Sequence, residues 1–192
     1  MSDVKKSIDS IVGAKIRPYF TAVGRVAHAW NQLQEALGQL FAEVVGSNHR
    51  VILAIWYSSK SDRAQHEMLR AAIVGSGDNR WRRATARGDL EWLVNKATEL
   101  AQKRNEAIHA PIGMIVDEGN PKIIPSYFFG HPLAQSLQNK DLLQELDWCE
   151  RWATALHNYA DECRAGVRHA KRPWPRRPAQ PNRPPRKKFE SH

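Results

Sequence analysis

With 192 residues, seven of them tryptophan, five phenylalanine and four tyrosine, the chain is long enough for one domain with a sizeable core and short for two. Its net charge is +9, yet residues 171–192 hold eight basic residues and one acidic, a net of +7 that leaves +2 for the rest. This excludes reading the high isoelectric point as the mark of a basic nucleic-acid-binding body.

Met1-Ser2-Asp3-Val4-Lys5-Lys6 leads into no long apolar run, and no stretch reaches the length of a membrane span. The expectation is a soluble cytoplasmic protein with no membrane partner. Residues 1–17 are weakly patterned and predict a loose arm or a short leading helix. From Pro18 the pattern sharpens: Val23, Val26, Ala27, Trp30, Leu33, Leu37, Leu40, Phe41, Val44 and Val45 recur at spacings of three and four, one apolar stripe of a long helix. Gly46-Ser47-Asn48 stops it. Residues 51–57 have strand propensity, but no second strand lies nearby to pair with them, which favours a short helix. Ser59 or Ser61 caps the next helix, with Asp62 in its first turn and Ala64, Met68, Leu69, Ala72 and Ile73 on its apolar face.

A basic stretch follows, with Arg80, Arg82, Arg83 and Arg87. From Asp89 a strong helical pattern runs through Leu90, Leu93, Val94, Ala97, Leu100, Ala101, Arg104 and Ile108, and Pro111 ends it. Residues 111–136 are the least helical part. They read as a small hairpin with a four- or five-residue turn, or as an ordered loop. A last helix is expected from about Leu137 to Val167. It would carry both cysteines, Cys149 and Cys163, roughly 21 Å apart along its axis and too far for a disulfide between them. After Ala170, six of the eleven prolines fall at positions 173, 175, 178, 181, 184 and 185. Composition predicts a disordered basic tail over 171–192. The domain is therefore 18–170, an all-α bundle of four to five helices with a short hairpin or loop insertion before the last.

Chemistry concentrates at Arg104-Asn105-Glu106-Ala107-Ile108-His109, at the end of a long helix. Arginine offers a fixed fork for a phosphate and offsets charge in a phosphoryl transition state. Histidine takes or gives a proton near neutrality. Asn105 and His109 are four apart and share a face. Arg104 and His109 are five apart, about 140° round an ideal helix, so convergence on one phosphate requires a frayed helix end or a second subunit. Arg104 also lies in line with the apolar stripe, where its charge needs a partner such as Glu35 or Asp62. A plain structural reading is a basic pair stabilising a helix terminus.

The segment Arg104-Asn105-x-x-x-His109 resembles the signature of the HEPN superfamily, helical bundles of which many are ribonucleases in toxin–antitoxin, CRISPR-associated and antiviral systems. The resemblance covers roughly residues 20–165. It implies a homodimer whose two motifs face one cleft, and metal-independent cleavage of RNA without a cofactor. Arg104 would stabilise the phosphate, Asn105 would position and His109 would serve in acid–base chemistry, with an antitoxin or other protein as a further partner. Trp81 among Arg80, Arg82 and Arg83 suits base stacking beside phosphate contacts, and Lys103 adjoins the motif as a further substrate contact. Glu35 and Asp62 are candidate supporting residues. The histidines and cysteines show no metal-ligand spacing. The alternative is a non-catalytic adaptor for nucleic acid or protein, in which the motif is structural.

Overall fold

The computed structural model describes residues 2–77, 81, 83–117, 120–126, 130–169 and 171–186, with side chains at all of these but 2–12, 15, 116, 117 and 120–122. The chain is an all-α helical bundle with one small hairpin. Helices α1 (Ser2–Val45), α2 (His49–Ser58), α3 (Asp62–Gly75) and α4 (Ala86–His109) precede strands β1 (Ile112–Asp117) and β2 (Asn120–Pro125). Helices α5 (Pro132–Ser136) and α6 (Leu142–Arg168) follow. The chain divides into two compact units. The first is Met1–Ala27, Gln102–Glu150 and Pro181–His192; the second is His28–Ala101 and Arg151–Gln180.

Of the stripe expected from Pro18, Val26, Trp30, Leu33, Leu37, Leu40, Phe41 and Val44 are buried on α1, whereas Ala27 and Val45 are exposed and Ala22 and Ala29 are buried instead. The helix does not begin there, however. It runs 44 residues with Pro18 inside it, so the separate arm over 1–17 is replaced by continuous helix. Pro18 is exposed, so the carbonyl that loses its partner one turn back can turn to water.

The segment 51–57 is helical because Asn48 caps it: Asn48 Oδ1 accepts from the backbone N–H groups of Arg50 and Val51 at 3.1 and 3.4 Å. Its Trp56 is wholly buried and packs flush on Gly38 of α1, where a Cβ would lie 2.8 Å from the indole Nε1. For α3 the cap is Ser61, whose Oγ accepts from the Ala64 N–H at 3.2 Å.

The insertion is an antiparallel hairpin, paired from Ile112↔Pro125 to Asp117↔Asn120. The pairing reaches closer to the turn than expected, to Asp117↔Asn120. The last helix starts later than its apolar pattern suggests. Asn139 takes a left-handed conformation at φ 64° and breaks the run. Asp141 then caps α6 by accepting from Leu143 and Gln144 N–H.

Residues 171–186 correct the expectation of a disordered tail. They form no helix or strand but have defined partners. In the second unit the Trp174 indole lies against Gly166, where a Cβ would sit 2.7 Å from the ring, and its Nε1 donates to Asp89 Oδ2 at 2.9 Å. In the first unit Trp148 Nε1 donates to the Pro181 carbonyl at 2.9 Å. The segment is held largely through side chains, Trp174, Arg177 and Arg183 reaching helix residues and Trp148 reaching its backbone. The remainder, 187–192, lies outside the described residues.

Candidate site at the end of helix α4

Helix α4 stays intact through the motif. The Ala110 N–H still donates to the Glu106 carbonyl, at 3.3 Å. The helix therefore does not fray before His109, and Arg104 and His109 keep their separation of about 140° around the axis. Asn105 and His109 are both exposed, on one face; Arg104 is half-buried; Glu106, Ala107 and Ala110 form the buried face. Within one chain the helix end therefore does not fray to bring Arg104 and His109 together.

Glu106, inside the motif, was not singled out by sequence. It is 6% exposed and accepts from Lys103 Nζ at 3.0 and 3.1 Å and from Gln102 Nε2 at 3.3 Å. Lys103, expected at substrate, is thus bound to its own helix. Nearby on α6, burial pushes the Cys149 thiol up to about 12, with the Glu145 carboxylate adding, Arg183 and Lys140 opposing and Glu106 adding further. Such a thiol is inert at neutral pH. A groove of about 940 Å³ in the same unit is lined by residues of α1 and α6, among them Arg17, Thr21, Arg25 and Asp147. None of the motif residues lines it.

The other expected site residues belong to the second unit. Glu35 accepts from Gln39 at 3.0 Å and from the Tyr57 hydroxyl, and these bonds lower its pKa. Asp62 accepts from Trp30 Nε1 at 3.2 Å. Trp81 is half-buried, its Nε1 buried without a hydrogen-bond partner among the described residues. Arg83 Nη2 donates to the Arg172 carbonyl at 3.2 Å. Arg80 and Arg82 lie outside the described residues.

That unit also holds a polar chain that sequence spacing did not reveal. His66 is 1% exposed, with Nε2 at 3.1 Å from Gln34 Nε2 and Nδ1 at 3.0 Å from Thr98 Oγ1. Gln34 donates, so His66 Nε2 accepts and Nδ1–H donates to Thr98, whose hydroxyl donates to the Val94 carbonyl at 2.8 Å. Burial lowers the imidazole to about 4, Asp62 and Glu67 opposing and Arg70 adding. A neutral histidine consumed at both nitrogens is a pin between α1, α3 and α4, and no signal short of the contact itself marks it.

Among the described residues no group of three or more His, Cys, Asp or Glu is placed to hold a metal ion. None of the described helices is long and apolar enough to cross a membrane. The chain matches no protein-family model, no curated protein and no solved structure.

Proposed function

We propose that the chain is a metal-independent endoribonuclease of HEPN type, acting in the cytoplasm as a homodimer. The reading starts from the likeness of Arg104-Asn105-x-x-x-His109 to that signature. The observation that carries it is the exposure of Asn105 and His109 on one face of an unbroken helix end. Two copies meeting there would set the Arg104 of one beside the His109 of the other. His109 removes the proton of the ribose 2′-hydroxyl, and that oxygen attacks phosphorus. Arg104 offsets the charge gathered on the phosphoryl oxygens, and Asn105 holds one of them. The 5′ oxygen leaves with a proton from the protonated His109 of the other copy. The products are a 2′,3′-cyclic phosphate and a 5′-hydroxyl. DNA, lacking the 2′-hydroxyl, is not a substrate.

The test is incubation of pure protein with varied single-stranded RNAs in EDTA, beside Arg104→Ala/His109→Ala. Cleavage leaving cyclic-phosphate ends, reduced about 10²–10⁴-fold in the variant, is expected. Equal treatment of every RNA by both proteins refutes the reading. A second reading, a non-catalytic adaptor for nucleic acid or a protein partner, is favoured by one observation: Gln102 and Lys103 are tied to the buried Glu106, as in a terminus organised by local contacts. It predicts that His109→Ala alters partner binding while RNA stays whole.

A further inference from the structure

Two buried carboxylates on the helices are paired with arginines of the tail. Asp89, in the first turn of α4, is 8% exposed. Arg177 Nε meets its Oδ1 at 2.6 Å, Arg177 Nη2 donates to the Gly88 carbonyl at 3.3 Å, and the guanidinium lies 5.3 Å from the Trp92 ring centre. Glu145, in the first turn of α6, is 1% exposed. Arg183 Nε and Nη2 meet its Oε2 at 3.2 and 2.8 Å, with the guanidinium 5.1 Å from the Trp148 ring centre. Lys140 Nζ stands 3.5 Å from the same oxygen, its pKa lowered by burial. The other oxygen, Oε1, is buried with no hydrogen-bond partner.

The two places share one design, one in each unit: a buried acid, a tryptophan face and an arginine laid between them. Trp174 adds an indole N–H on Asp89, and Trp148 adds one on the carbonyl of Pro181. The acids and the tryptophan faces belong to helices α4 and α6, and the arginines belong to the tail. A planar guanidinium is the group that satisfies acid and aromatic face together, whereas an ammonium is a point charge. The prolines hold the segment extended before it docks, so little conformational freedom is lost on seating it.

We propose that Asp89 with Trp92, and Glu145 with Trp148, are arginine-reading sockets for an extended arginine–proline segment. The chain fills them in cis with Arg177 and Arg183, and a segment of the same chemistry supplied in trans takes their place. This recognition site is independent of the nuclease reading.

The experiment uses the full chain with a specific protease site inserted between α6 and residue 171, folded intact and then cut. The probe is a synthetic peptide of residues 171–186. Native mass spectrometry is expected to show the cut tail retained at low salt and exchanged one-for-one by excess peptide. Calorimetry is expected to show Arg177→Lys and Arg183→Lys peptides each binding about tenfold more weakly or worse, and an Arg176→Lys peptide binding as the parent does. If the body unfolds when the tail leaves, added parent peptide restores its helicity. Equal binding of the parent and both lysine peptides overturns the proposal. So does a body that neither rebinds the peptide nor is refolded by it.

Discussion

The buried His66 makes stability depend on pH in a calculable way. Its folded-state pKa, about 4, lies below the ordinary 6.5. The unfolded chain therefore takes up a proton first as pH falls. The contribution is whole above about 6.5 and is lost progressively as pH drops toward 4. The full gap amounts to about 3 kcal/mol, of which about 2 kcal/mol is gone at pH 5. The perturbation is His66→Gln, which removes the titrating group and leaves hydrogen-bonding atoms facing Gln34 and Thr98. Urea denaturation at pH 8 and pH 5 gives the change in stability for each protein, and the wild type should lose about 2 kcal/mol more than the variant over that interval. Parallel losses refute the reasoning. An NMR titration of the imidazole tests it without a variant: a midpoint at the ordinary histidine value would sink the argument, whatever the denaturation shows.

Other substitutions probe the remaining features. Gly38→Ala puts a Cβ 2.8 Å from Trp56 Nε1 and should cost about 1–3 kcal/mol in urea denaturation. Gly166→Ala puts a Cβ 2.7 Å from the Trp174 ring and should displace the indole, seen as faster trypsin cleavage after Arg176. Arg183→Ala leaves Glu145 buried with Lys140 alone and should cost about 3 kcal/mol; adding Glu145→Gln should recover part of that loss. Asn105→Ala and His109→Ala alter exposed side chains and should move stability by no more than about 0.5 kcal/mol, so that any effect of either on RNA reports chemistry.

Helices were legible wherever burial recurs with the helical period, because that signal is local. Most of the expected stripe of α1 and of the pattern of α4 is buried, with Ala27 and Val45 exposed, while α2 had to be inferred from the lack of a partner strand. What sequence reading missed is non-local. Asp89 and Glu145 look like ordinary first-turn acids, and nothing near either announces an arginine 88 or 38 positions away. His66 likewise finds Gln34 and Thr98, each 32 residues distant. Composition therefore described residues 171–186 as a solvated charge run when they are a docked one. At the motif, spacing correctly gave the shared face of Asn105 and His109. It could not tell whether the helix end frays, since that turns on one hydrogen bond beside Pro111.

The docked tail has a spectroscopic consequence. Trp92 and Trp148 each carry a tail guanidinium on the ring, and Trp174 belongs to the tail itself. Nearly half of the seven indoles thus sense whether the segment is seated. Intrinsic emission and near-ultraviolet dichroism become label-free gauges of the tail, and a salt titration that releases it should register there while the far-ultraviolet helical signal holds steady.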